Sequence, residues 1–362
     1  MEARIVVIPG DYIGPEIVAE CIKVLKAVGE RFGHTFHFQE ALAGGAAYDA
    51  YGVHLPDETL KACREADAVI KGPFGGPPSE LNHPKWANVE RDALLRLRRE
   101  LDLYANLRPI ITRKALLDYS PVRRERVENV DVLIVRELAS GIYFGPKSRE
   151  VVDGEEQATD TELYRASEIR RIGRLAFELA RKRRKKVTLV AKSNVLVSSV
   201  LWREVVAEVA KEFPDVELDY MHVDNASMQL ILNPRQFDVL LTTNMFGDIL
   251  SDEAGAIAGS IGVMPSASLT DGRFGLYEPI HGSAPDIAGR NIANPLGQIL
   301  SGAEMLRYTL GLEKEAKAID AAVDAVFEEG YFTPDLASGH PGAKVVGTKE
   351  MGDLIAEKIL SL

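Results

Sequence analysis

The 362-residue chain is poor in cysteine: Cys21 and Cys63 are its only two, and neither stands in a CxxC or Cys/His ligand spacing. A disulfide scaffold or zinc site is disfavoured, and each thiol falls in an apolar helical pattern that suits burial in a reducing compartment. Long apolar runs are missing too, none reaching the roughly 18 residues of a membrane span. The opening MEARIVVIPG shows no cationic region followed by an apolar stretch and a small-residue cleavage site, so a cytoplasmic protein is expected. Positive charge is in short supply: 43 Lys+Arg against 54 Asp+Glu give a formal net charge of −11. That balance argues against a nucleic-acid or anionic-membrane partner, which needs a basic footprint. Two nucleotide signatures are also absent, since no GxGxxG follows the first strand-like run and no GxxxxGK[ST] occurs. No repeat at fixed period is present.

What is present is a globular composition, 46% hydrophobic with 30 Gly and 18 Pro spread along the chain. At roughly 150 residues per domain the length suggests about two domains. Short β-branched runs alternate with amphipathic segments, the signature of an α/β fold with much parallel sheet. Arg4–Ile8 reads as a strand, followed by a helix from Pro15 whose apolar face carries Ile17, Val18, Cys21, Ile22, Val24, Leu25 and Val28. Ala68–Ile70 leads into the loop Gly72–Pro78. Residues 140 to 161 have no helical period and read either as a solvated loop or as a protruding hairpin. A helical pattern returns over Glu162–Arg184, then the strand Val187–Val190. The basic run RKRRKK at 181–186 reads as a solvated helix C-terminus rather than a nucleic-acid patch.

Three groups of residues suggest chemistry. In FGDILSDEAG, Asp248 and Asp252 are spaced i, i+4, so on a helix two like charges share a face. A divalent cation removes that repulsion, and hard oxygen ligands suit Mg²⁺ or Mn²⁺; the alternative is a solvated acidic face. Arg98, Arg108 and Arg136, were they to converge, would bind a di- or tricarboxylate through planar forks, although each alone is commonly a surface salt-bridge partner. HGSAPDIAG at 281–289, preceded by Glu278 and followed by NIANP, gathers small residues that permit close backbone approach. There Asp286 could accept from a ribose diol while repelling a 2′-phosphate.

The motifs LRRELDLYANLRP, VRELASGIYFG, VDNASMQLILNPRQFD, FGDILSDEAGAIAGSIG, PSASL and HGSAPDIAG…IANP occur in the order and spacing of the β-decarboxylating dehydrogenases, the isocitrate/isopropylmalate dehydrogenase family, which the chain resembles from Ile5 onward. The resemblance implies a two-domain α/β fold with a mixed sheet and no GxGxxG Rossmann motif. Its domains would be 1–103 plus 259–362, binding cofactor, and 104–258, carrying the dimer interface, metal and substrate sites and an arm near 140–161. It implies NAD-dependent oxidative decarboxylation of a 2-hydroxy dicarboxylate, 3-isopropylmalate of leucine biosynthesis, by a homodimer with shared sites. Homoisocitrate, isocitrate, tartrate and malate are alternative substrates, and a non-catalytic binding protein is a distant alternative.

Carried over residue by residue, Tyr143, Lys192 and Asp224 match catalytic positions, Lys192 and Asp224 coming from the second subunit. Arg98, Arg108 and Arg136 match carboxylate ligands, while Glu90, Leu94, Leu95 and Val195 match the pocket for the substituent; Arg91 could serve a carboxylate in a shifted register. Asp224, Asp248 and Asp252 match ligands of Mg²⁺ or Mn²⁺. Glu278, His281, Gly282, Ser283, Ala284, Pro285, Asp286, Ile287 and Asn294 match the cofactor site, the Asp-Ile pair implying NAD. The chain departs from the family pattern at Tyr12, where glycine is usual, and in a six-residue insertion between Pro77 and Pro84. AKSNVL and VRELAS also replace the common DKANVL and VRELTG.

Overall fold

The computed structural model describes residues 1–338 and 340–362. Its strands are β1 (Glu2–Ile8), β2 (Thr35–Glu40), β3 (Ala68–Lys71), β4 (Ala105–Ile111), β5 (Asp131–Glu137), β6 (Lys147–Val152), β7 (Glu155–Asp160), β8 (Lys186–Ala191), β9 (Glu217–His222), β10 (Val239–Thr242), β11 (Pro265–Leu269), β12 (Gly275–Pro279), β13 (Tyr331–Phe332) and β14 (Lys344–Val345). The chain divides into two compact units. The first comprises Met1–Leu103, Arg113–Tyr119 and Gly259–Leu362, the second Tyr104–Thr112 and Ser120–Ala258.

In the first unit the strand order is β2-β1-β3-β12-β11, parallel except for the antiparallel pair β11 and β12. Helix Gly14–Phe32 carries Pro15 in its first turn and buries Ile17, Val18, Cys21, Val24, Leu25 and Val28. It ends on Gly33, whose φ of 74° suits a residue without Cβ. Cys63 is likewise buried, in helix Asp57–Glu65. Tyr12 takes a left-handed φ of 50° and lays its ring 5.6 Å from that of Trp86. The indole N–H donates to Glu80 at 3.0 Å, so the inserted segment, with its 3₁₀ turn Pro78–Glu80, is tied to the same tryptophan. This aromatic contact offsets the strain of a side chain at positive φ, on the order of 1–2 kcal/mol.

The second unit orders its strands β4-β5-β10-β8-β9, with β4 antiparallel to β5 and the remaining neighbours parallel. Residues 147–160 form the hairpin β6/β7 with every residue of both strands exposed. Asp153 and Gly154, both at positive φ, supply its two-residue turn. The helix expected over Glu162–Arg184 runs over Ala166–Arg181. Its start is set by Glu168, which accepts from the Arg165 backbone N–H at 2.8 Å, and Lys185, at φ 61°, turns the chain into β8. The basic run finds acids: Arg181 pairs with Asp215 at 2.6 Å, Arg183 with Asp131 at 2.7 Å and buried Asp238 at 2.8 Å, and Lys186 with Asp219 at 3.3 Å. Among the described residues no helix is long and apolar enough to cross a membrane.

Candidate active site

Parallel strands that share one direction deliver the segments after them to one edge of a sheet, where ligand sites of open α/β folds lie. In the second unit Arg136 stands near the end of β5, Lys192 directly follows β8, Asp224 follows β9, and helix Asn244–Ile257 follows β10. That helix carries Asp248 and Asp252, one turn apart. Asp248 Oδ1 accepts from Arg136 at 2.5 Å and lies 3.2 Å from Arg108, while its Oδ2 accepts from the Tyr143 hydroxyl at 2.9 Å. Arg108 also reaches Asp252 at 3.4 Å and donates to Ser251 at 2.6 Å and Asn106 at 2.7 Å. Both guanidiniums are buried, Arg136 at 1% exposure and Arg108 at 6%, so their charges depend on these partners. Asn244 accepts from Arg136 at 2.8 Å and donates to the Ser140 carbonyl at 2.9 Å, locking the arginine to the helix. Gly247 makes that approach possible: a Cβ there would lie 2.7 Å from Arg136 Cγ.

The carboxylate pair fits a hard divalent cation. Burial pushes the Asp252 carboxyl up, and the negative charge of Asp248 adds to this against the opposing pull of Arg108 and Arg136. A cation between two such groups is favourable, but one chain supplies only part of a coordination sphere. Among the described residues no group of three His, Cys, Asp or Glu side chains is placed to hold a metal. Asp224 instead accepts from Lys192 Nζ at 2.7 Å, and that ammonium holds its carboxyl below the usual range.

In the first unit, loops 9–13, 72–78 and 280–289 follow parallel β1, β3 and β12. Asp11 accepts backbone N–H bonds from Gly45, Ala46 and Gly75, each at 3.1 Å, and the Ser283 hydroxyl donates to the Gly75 carbonyl at 2.9 Å. The Ser283 carbonyl accepts from Ile13 at 3.1 Å, so loops 9–13 and 72–78 both hold the 281–289 segment. Ala284 takes a φ of 41°, and Gly282 has open space where a Cβ would be. Burial pushes the His281 imidazole below its usual pKa, keeping it neutral. Its Nδ1 lies 3.0 Å from the Gly282 carbonyl, which can only accept, so Nδ1 carries the proton. Nε2 is then a buried acceptor without a partner among the described residues, which fits a donor on a bound cofactor. Asp286 is exposed and Ile287 half-buried beside it. Asn294 is committed internally, donating to Asp335 at 3.0 Å and accepting from the Leu296 N–H at 3.0 Å.

Arg98 belongs to this unit and lies 3.7 Å from Glu278, which pairs with Lys71 at 2.5 Å. Glu90, Leu94 and Leu95 fall in a π-helical turn, Glu90–Leu95, a rare form that recurs at functional sites. Glu90 is exposed and the two leucines half-buried. Arg91 pairs with Asp92 at 2.7 Å on the surface, and Val195, in the second unit, is 68% exposed. Asn106, Asn244, Gly247, Ser251 and Lys71 complete these sites and are none of the candidate residues singled out by sequence. Lys71 alone left a visible mark, a lone charge ending the apolar run AVI.

A family model described as "Isocitrate/isopropylmalate dehydrogenase" matches residues 4–355. A protein of Carboxydothermus hydrogenoformans named 3-isopropylmalate dehydrogenase is 55% identical over 358 residues, 99% of this chain and 95% of that one. One of the same name from Geobacillus kaustophilus is also 55% identical, with the same shares covered. The crystal structure of an isocitrate dehydrogenase from Methylococcus capsulatus superimposes with a TM-score of 0.88 at 39% identity, covering 99% of both chains.

Proposed function

The chain belongs to the isocitrate/isopropylmalate dehydrogenase family, and from that premise we propose that it catalyses the NAD-dependent oxidative decarboxylation of 3-isopropylmalate to 4-methyl-2-oxopentanoate and CO₂, a step of leucine biosynthesis. The full-length likeness to relatives of that name carries this reading, and the pocket residues support it. Half-buried Leu94 and Leu95, with exposed Val195 contributed by a second copy, offer an apolar wall to the isopropyl group. Removing a group of that size from water is worth roughly 1.5–3 kcal/mol. Arg91, spent on Asp92, is not poised for the third carboxylate of isocitrate, and leaving that charge unpaired costs more.

Asp248 and Asp252, with Asp224 of a second copy, would hold Mg²⁺ or Mn²⁺. When bound, the cation supplies Lewis acidity toward developing negative charge on oxygen, and NAD supplies the hydride acceptor. Arg98, Arg108 and Arg136 bind and orient the substrate carboxylates. Lys192 of the second copy, once its ammonium has passed a proton to solvent and given up the ion pair with Asp224, takes the proton of the C2 hydroxyl as the neutral amine. After loss of the β-carboxylate, the Tyr143 hydroxyl protonates C3, and its bond to Asp248 fixes where that proton is held. His281 Nε2 accepts from the cofactor, the 282–285 backbone and Ile287 pack against it, and Asp286 takes the ribose hydroxyls. Domains 1–103 plus 259–362 and 104–258 would divide cofactor binding from dimerisation in a cytoplasmic homodimer.

NADH formation with 3-isopropylmalate, isocitrate, homoisocitrate, malate and tartrate, each with and without Mn²⁺ and repeated with NADP⁺, tests the reading. Metal-dependent turnover with 3-isopropylmalate and NAD should exceed all others. A higher kcat/KM with isocitrate or homoisocitrate would move the substrate assignment.

A further inference from the structure

Lys71 is among the most deeply buried large side chains of the molecule, 1% exposed, and it takes no part in the chemistry above. A buried ammonium persists only where each of its directions is satisfied. Here Nζ meets Glu278 Oε2 at 2.5 Å, donates to the Gly72 carbonyl at 2.8 Å, and lies 3.9 Å from the centre of the Phe74 ring. The parallel register Tyr277↔Ile70 between β12 and β3 sets Glu278 and Lys71 side by side. On its other side Glu278 faces Arg98, at the longer distance of 3.7 Å. One carboxylate thus stands between two cations and leans toward the lysine. Nearby Asp11 does not rebalance the trio, because its charge is taken up by three backbone N–H groups and feels Lys71 only weakly. A second observation concerns Arg98 itself: its side chain is only 8% exposed, and its buried Nε–H has no hydrogen-bond partner among the described residues. A buried guanidinium with an unspent donor is suited to receive an anion.

We propose that Lys71 is a positioning residue that occupies Glu278 and thereby keeps Arg98 available, as an unneutralised cation, to the substrate carboxylate. Without Lys71, Glu278 closes on Arg98, and the guanidinium meets its anion inside the protein. The inference rests on the reading of Arg98 as a carboxylate ligand and adds a residue that acts through it.

Isothermal titration of 3-isopropylmalate into the full-length protein with Mg²⁺ and without NAD reads the effect apart from turnover. Arg98→Gln and Lys71→Met should each weaken binding about tenfold or more, and Lys71→Arg, which keeps the charge, should stay within about threefold of the parent. Lys71→Met combined with Glu278→Gln removes both partners, so it should bind within about threefold of Glu278→Gln alone. A purely structural lysine would not show that rescue. Undiminished affinity in folded Lys71→Met, with Arg98→Gln weakened, overturns the role of Lys71 alone. Undiminished affinity in Arg98→Gln overturns the reading beneath it, and the inference with it. If Lys71→Met does not fold, the double variant decides: affinity about tenfold below that of Glu278→Gln alone overturns the proposal.

Discussion

Glu137, closing β5, is buried and accepts N–H bonds from Ala139 at 2.9 Å and Ser140 at 3.0 Å. Burial outweighs those bonds and pushes its carboxyl up to about 7 from an ordinary value of 4.5. A carboxyl whose folded pKa is raised favours the protonated folded state. Its contribution to stability is complete below pH 4.5 and is lost as pH climbs through about 7. Glu137→Gln cannot ionise, so the variant should gain about 1–3 kcal/mol on the parent between about pH 4 and pH 8. Thermal unfolding across that range checks it, and a difference independent of pH would refute the assignment. At the same scale, the candidate carboxylates and arginines could be named from motifs in the sequence, but their pairing could not. That Arg136 lies along the helix beyond Gly247 and is gripped by Asn244 depends on a backbone approach that no spacing encodes.

At the scale of elements, runs such as VLIV and VTLV read directly as buried strands because β-branched and other bulky aliphatic residues, without a polar residue at every second position, suit a strand covered on both faces. Segment 140–161 is ambiguous in sequence for the opposite reason. All of β6 and β7 is exposed, so no alternation between a dry and a wet face marks them. An exposed hairpin with Val151 at 70% and Val152 at 40% exposure is a strand edge in need of cover. We expect it to pair with a second copy of the chain. Replacing residues 147–160 by a short Gly-Ser turn should shift the protein from dimer toward monomer in light scattering coupled to gel filtration. An unchanged dimer would assign the interface to other elements. The basic run after helix Ala166–Arg181 shows how partners settle what composition leaves open: Asp131, Asp215, Asp219 and Asp238 take up its charge.

For the whole molecule, a net charge of −11 describes the solvated exterior, while Arg98, Arg108 and Arg136 are buried cations set against carboxylates. Because Lys192 and Asp224 are assigned across a subunit boundary, activity should be recoverable by complementation. Equal mixing of Lys192→Met with Arg98→Ala, each inactive alone, should restore about a quarter of parental turnover, since half the dimers are mixed and each has one intact site. No recovery after confirmed subunit exchange would mean self-contained sites.

Sequence alone determined the α/β class, through strand and helix periods dictated by local backbone geometry, and family membership, through long contiguous motifs whose order survives without any knowledge of contacts. Tertiary structure decided what depends on pairing between distant segments. It delivered Arg136, Lys192, Asp224 and Asp248 to the ends of β5, β8, β9 and β10, and left His281 Nε2 as a buried acceptor. It also sank Lys71 against Glu278, because the register of β3 on β12, and not the identity of either residue, brings those two charges within hydrogen-bonding distance.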